Sequence, residues 1–215
     1  MLREKKPLLC LLLPFLLGGC LNLKQPANTT CYYTLEYAQP RITGLEPLRS
    51  VLMIRRLNVA PQYNTHQILY REKAYNRQAY AYHKWRSNPG DMVTGFLLRY
   101  MRESDLFTAV ADQSSRLSAA YILEGTIEEF LEHDLPDGWH AVLAVHITLI
   151  DTQKQDAVSQ VLLQKRYRAT APCRSKNPRA LAGAMSSATA DISEKIIRDI
   201  YACINTGRMG KSVSE

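Results

Sequence analysis

The chain has five cysteines but no Cys-x-x-Cys, which disfavours a thiol redox enzyme or a zinc ribbon. It lacks Gly-x-Ser-x-Gly, the strained turn that exposes a hydrolase serine. No cysteine has a nearby histidine to recommend it as a nucleophile. Despite a net charge of +7, no block of Lys and Arg is dense enough to argue for a nucleic-acid groove. There is no internal repeat, no second apolar core and no internal linker. The apolar run from Leu8 to Leu17 is about ten residues, too short to cross a bilayer of roughly 30 Å as a helix.

That run is informative for what surrounds it. Met1-Leu2-Arg3-Glu4-Lys5-Lys6 is a basic lead, and Leu17-Gly18-Gly19-Cys20 closes the segment. A basic n-region, a short apolar h-region and small residues before a cysteine make a bacterial lipoprotein signal. Cleavage before Cys20 and acylation of its thiol are expected. Several acyl chains make a stable anchor, since each buried CH₂ contributes about 0.8 kcal/mol. Removing residues 1–19 from 215 leaves 196, enough for one domain with a real core. The removed part carries Arg3, Lys5 and Lys6 against Glu4, so the mature charge is 7 − 2 = +5. That excess favours anionic surfaces such as phospholipid headgroups.

Residues 20–31 are polar and aperiodic and read as a lipidated tether; residues 32–204 form the domain, and 205–215 a loose polar tail. Tyr32 to Tyr37 and Ser50 to Asn58 read as strands, with Pro40, Gly44 and Pro47 in the loop between them. Gln67–Arg71 and Gln78–Tyr82 form a hairpin pair. Ser87-Asn88-Pro89 starts a helix, a cap followed by a proline whose missing N–H is not needed there. Met92, Val93, Phe96, Leu97, Tyr100 and Met101 supply its apolar stripe. Alternation over Ala119–Phe130, His140–Asp151 and Val158–Ala171, with short polar turns, argues for an antiparallel meander. His133–Gly138 reads as one of those turns. Asn177-Pro178 opens a last helix, striped by Leu181, Met185, Ala188, Ile192, Ile196, Ile200 and Cys203, and ending near Ile204. The fold class is α+β: a single domain, a mostly antiparallel sheet packed by two helices.

Several groupings could carry chemistry. Cys173 and Cys203 could form a disulfide closing a loop of about 30 residues, worth roughly 3 kcal/mol in an oxidising compartment; unpaired thiols fit equally. Among His66, His83, His133, His140 and His146, no pair has i, i+4 spacing. His133, Asp137 and His140 flank a turn and could serve a metal-dependent hydrolase, and Glu124 with Glu128 could form an acid pair. A solvated turn and an exposed strand face are the simpler expectations. Gly207 to Ser212 has a glycine, lysine and serine but not the spacing of a phosphate loop. No catalytic residue, metal or cofactor is assigned. The stretch from Tyr63 to Trp85 interleaves tyrosines with arginine and lysine. Tyr63, Tyr70, Arg71, Tyr82 and Trp85 are the expected partner-binding residues, unless half of them point inward to the core.

The order of these pieces resembles a known family. Behind the lipobox at Cys20 come Tyr32-Tyr33-Thr34-Leu35, Val59-Ala60-Pro61-Gln62-Tyr63 and Gln67-Ile68-Leu69-Tyr70-Arg71. Then follow Tyr82-His83-Lys84-Trp85-Arg86-Ser87-Asn88-Pro89, Ala119 to Gly125, and Glu128-Glu129-Phe130. Over residues 32 to 204 the chain resembles the ABC-type transport auxiliary lipoproteins, the PqiC-like components. It departs from them at Asn64-Thr65-His66, where the family often has an Asp-Arg pair. The resemblance implies an adaptor and not an enzyme. It implies an MCE-domain protein, an ABC permease and its ATPase as partners in lipid traffic between two membranes, and a homo-oligomer, with no nucleic acid. Leu21, in place of aspartate after the anchor, implies the outer membrane, facing the periplasm. The alternative function is an envelope-assembly or cell-wall regulatory lipoprotein that binds a periplasmic enzyme or peptidoglycan.

Overall fold

The computed structural model describes residues 29–36, 42 and 44–212, with side chains through Thr206. The signal, Cys20 and the tether through Asn28 lie outside the described residues, as do Tyr37 and Pro40. In chain order the strands and helices are β1 (Cys31–Tyr33), β2 (Leu48–Ile54), β3 (Asn58–Val59), β4 (Gln67–Arg71), β5 (Gln78–Trp85), α1 (Pro89–Glu103), β6 (Phe107–Asp112), β7 (Tyr121–Leu135), β8 (Gly138–Asp151), α2 (Ala157–Gln160), β9 (Val161–Pro172) and α3 (Pro178–Ser212). A 3₁₀ turn, Pro61–Tyr63, lies between β3 and β4.

β7 is the spine. One edge pairs antiparallel with β8 from Tyr121↔Asp151 to Leu135↔Gly138, and β8 pairs antiparallel with β9. This is the expected meander. The other edge of β7 takes β2, β3 and β4 in succession, all parallel: Leu52↔Tyr121, Asn58↔Thr126 and Tyr70↔Glu132. β6 adds to β2, β5 to β4 and β1 to β5. The sheet is therefore mixed, with its long pairings antiparallel. One chain segment, residues 52–71, pairs in three short pieces along one strand and bends away between them.

β7 does not keep one phase. The register shifts between Ile127 and Glu129, so Glu128 bulges out of the ladder. An extra residue flips the facing of everything after it. Tyr121, Leu123 and Ile127 are buried before the bulge; Phe130 and Glu132 are buried after it. β7 also continues to Leu135, which places His133 in the strand, opposite His140, and not in a turn. At the other meander turn, Asp156 Oδ2 accepts from Ser159 N–H (2.8 Å) and caps α2. β9 thus starts at Val161 and not Val158.

Both long helices start as their sequences predict. Asn88 Oδ1 accepts from Gly90 N–H (2.9 Å), and Asn177 Oδ1 from Ala180 N–H (2.9 Å), each just before a first-turn proline. Gly90 is required by close approach: a Cβ there would meet Leu57 O at 2.8 Å. α1 buries Val93, Phe96, Leu97, Tyr100 and Met101. α3 buries Leu181, Met185, Ala188, Ile192, Ile196, Ile200 and Ile204, each Leu, Ile or Met side chain contributing roughly 1.5–3 kcal/mol. α3 continues to Ser212 rather than ending near Ile204, so Gly207–Ser212 is helical backbone and not a phosphate-gripping loop.

α3 runs antiparallel to β9. Asp199 Oδ2 bonds Lys165 Nζ and the Tyr167 hydroxyl, both at 2.6 Å, while Pro172 lies beside Ala180 and Ala184. Cys173 and Cys203 therefore sit at opposite ends of this pair, about 25 Å apart at strand rise. A disulfide requires Cα atoms within about 7 Å. Of the two readings left open for Cys173 and Cys203, the disulfide does not form: both are free thiols, as is Cys31.

Candidate functional site

The segment expected to meet a partner divides by burial. Tyr63 is 2% exposed and Trp85 1%. Trp85 packs edge-on against Phe130, centroids 5.1 Å apart, and Tyr63 accepts from Arg77 Nε at its hydroxyl (3.2 Å). Both complete the core, which corrects their assignment as contact residues. Tyr70 and Arg71 are half-buried. The Tyr70 hydroxyl donates to Gln78 Oε1 (2.5 Å), and Arg71 Nη2 donates to the His133 imidazole (3.0 Å from Nδ1). Tyr82 is 47% exposed.

Tyr70 leads into a cluster that the sequence did not reveal. The Tyr80 hydroxyl donates to both Glu132 oxygens (3.1 and 3.0 Å), and Glu132 is 1% exposed. Tyr80 also touches the rings of Tyr70, His83 and Trp139. Burial pushes the Glu132 carboxyl up to about 7; the Tyr80 bond opposes this, and the charges of Asp134 and Glu72 add to it. Burial and nearby Glu132 push the Cys173 thiol up to about 11, so this cysteine is not a ready thiolate. The alternation Gly125, Ile127, Glu129 points to the wrong face for Glu132. Only the bulge at Glu128 turns Glu132 inward.

The other candidate groups are already engaged. Desolvation, then Arg71, holds the His133 imidazole below its ordinary value, so its environment disfavours a cation. The His140 ring contacts Gly138 O (3.0 Å) and Asp137 (3.6 Å). His133, Asp137 and His140 lie near one another, but among the described residues no group of three or more His, Cys, Asp or Glu side chains is placed to hold a metal ion. Glu124 pairs with Arg55 and Glu128 with Arg166, both at 2.5 Å, on the sheet face away from the helices. They are not an acid pair.

Several exposed groups meet at one pole of the sheet. The strand registers place the β4–β5 turn, the β7–β8 turn and the end of β9 together: Arg71↔His133 and His140↔Pro172. At this pole the end of β9 and the start of α3 line a cleft of about 560 Å³ containing Arg174, Asn177 and Arg179. Tyr75 sits at the tip of the β4–β5 turn, fully exposed, with φ 62°. The left-handed conformation costs a bulky residue about 1–2 kcal/mol. Tyr32, also exposed, lies on β1 under the Arg86 guanidinium (5.9 Å).

The family model described as the ABC-type transport auxiliary lipoprotein component matches residues 33–197. No curated protein matches the chain. Among solved structures, the chain is similar to protein XCC0632 of Xanthomonas campestris, with 15% identity and a TM-score of 0.75, covering 84% of this chain and 99% of that one. Protein CT253 of Chlamydia trachomatis is similar at 10% identity and a TM-score of 0.53, covering 73% and 98%. These two likenesses are of fold.

Proposed function

From the premise that the chain belongs to the family of ABC-type transport auxiliary lipoprotein components, we propose that it is the lipid-anchored periplasmic adaptor of an MCE-type intermembrane lipid transport system. Cys20 carries the acyl chains, in the outer membrane. The domain engages the MCE-domain protein, and through it the permease and ATPase, and it catalyses no reaction itself. The observation that carries the reading is the family match across nearly the whole domain, directly behind a lipobox. The engagement of the candidate catalytic groups supports it: His133 faces Arg71, and Glu124 and Glu128 face arginines. Exposed Tyr32, on β1 under the Arg86 guanidinium, suits protein contact, where such residues supply area and directional bonds.

The test is affinity purification of the tagged, acylated protein from gently solubilised envelopes. The MCE-domain protein and permease are expected to co-purify. Their consistent absence, with cell-wall synthases in their place, would overturn the transport reading in favour of an envelope-assembly role.

A further inference from the structure

We propose that the pole carrying Tyr75 is the face this protein lays against an anionic phospholipid surface; the inference rests on the anchored reading above. Three independent features converge on that pole.

The first is the direction of the chain. β1 pairs parallel to β5, with Cys31 opposite His83 and Tyr33 opposite Trp85. Followed backwards, from Tyr33 to Cys31, the chain therefore heads toward the start of β5 and the β4–β5 turn. The residues between Cys20 and Cys31 reach at most about 36 Å. The strand from the level of His83 to Gln78 covers about 17 Å. The tether can thus bring this pole to the bilayer without turning back on itself.

The second is charge. Around this pole Lys73, Arg77, Arg174, Lys176 and Arg179 are exposed, against exposed Glu72 and Asp137 and the partly exposed Asp134, whose carboxylate lies 4.0 Å from Lys176. Among the residues whose side chains are described, the opposite pole exposes Glu46, Glu103, Asp105 and Asp156 against Arg49, Arg102 and Arg116. Cations near an anionic leaflet are attracted over roughly a Debye length of 8 Å at physiological salt. The attraction therefore orients a tethered domain with the Tyr75 end toward the headgroups.

The third is Tyr75 itself. It lies at the tip of the β4–β5 turn with positive φ, its ring fully exposed, with Lys73 and Arg77 two residues to either side. Tyrosine with flanking lysine or arginine is the side-chain set that settles at the membrane–water boundary, with the ring among the headgroups and the cations on phosphates. A phospholipid surface accounts for tip, charge and tether direction together.

The test is depth-dependent quenching. Acylated full-length mature protein bearing Tyr75→Trp, or Val158→Trp at the opposite pole, is reconstituted in phosphatidylethanolamine–phosphatidylglycerol vesicles containing brominated lipid. Val158 is also strongly exposed, 84%, so the two added indoles start from comparable solvent access. Relative to the unsubstituted protein, the Tyr75→Trp indole is expected to shift to the blue and lose emission. The Val158→Trp indole should be unaffected. Replacing phosphatidylglycerol by phosphatidylcholine, or raising salt, should weaken the Tyr75→Trp effect. An acylated protein in which Tyr75→Trp is unquenched, or both indoles are quenched alike, overturns this inference alone and directs the pole toward a protein neighbour. A product whose intact mass lacks the lipid overturns the anchored reading, and this one with it.

Discussion

Glu132 shows how a single side chain can set the pH response of this fold. Its carboxyl is buried beside Tyr80, and its folded-state value is raised from 4.5 to about 7. The folded state therefore holds the proton more tightly than the unfolded chain. Stability from this group is fully present below 4.5 and is lost as pH rises through about 7, with the proton difference setting the slope. After allowance for solvent screening near the turn, the loss is on the order of 2 kcal/mol. Glu132→Gln keeps the shape and an acceptor for Tyr80 but cannot ionise. Urea denaturation across that range should show wild-type stability falling and the variant's nearly flat. Parallel curves would show that the carboxyl is solvated and the cluster is open. The same scale explains why the contact residues were only partly legible. Tyr63, Trp85 and Tyr82 have the same aromatic chemistry in sequence, but the first two are inside and the third is outside. Tyr82 and Trp85 fall on opposite faces of β5, and the 3₁₀ turn Pro61–Tyr63 buries Tyr63; the composition around these rings reports neither.

At the scale of elements, what could be read was what is local. Asn88-Pro89 and Asn177-Pro178 contain their own caps, and β7 to β9 alternate over long runs joined by short turns. What could not be read was pairing across distance. β2, β3 and β4 each meet β7 over two or three residues, too few to leave a periodic signal, and parallel partners need no connecting turn. The bulge at Glu128 likewise leaves Glu-Glu in sequence with no sign of which residue is the extra one. Asn88 joins both kinds of order. It caps α1 locally and also accepts from Arg56 Nη2 (3.1 Å) and donates to Asn64 Oδ1 (2.7 Å). It therefore fastens the helix start to the chain that runs along β7. Asn88→Ala should cost more than an ordinary cap, about 2 kcal/mol against the usual 1. Hydrogen exchange should quicken in the first turn of α1 and in residues 55–65 together. Exchange confined to α1 would reduce Asn88 to a simple cap.

For the whole molecule, the question is what keeps it at a membrane. Among the described residues no helix is long and apolar enough to cross one, and the apolar stripes of α1 and α3 are consumed by the core. The exposed large apolar side chains, Tyr32, Tyr75, Tyr82, Leu117, Val158 and Val161, are scattered over both poles and do not form one patch. A pole with a few net positive charges gains about 1 kcal/mol per cation near an anionic leaflet. That is enough to orient a protein already held there but is screened by salt. On the proposed reading retention comes from the acyl chains on Cys20, where each buried CH₂ contributes about 0.8 kcal/mol and a single chain is only marginal. Cys20→Ser removes the acylated thiol while leaving the domain from Cys31 onward unchanged. The variant is expected to move from the sedimenting membrane fraction to the soluble one, and any residual binding to vesicles should disappear at high salt. Wild type should withstand the same wash. Variant protein that still sediments after a high-salt wash would show that the folded domain, or a partner embedded in the membrane, supplies the hold, and the division of labour between an acylated Cys20 and an orienting pole would have to be abandoned.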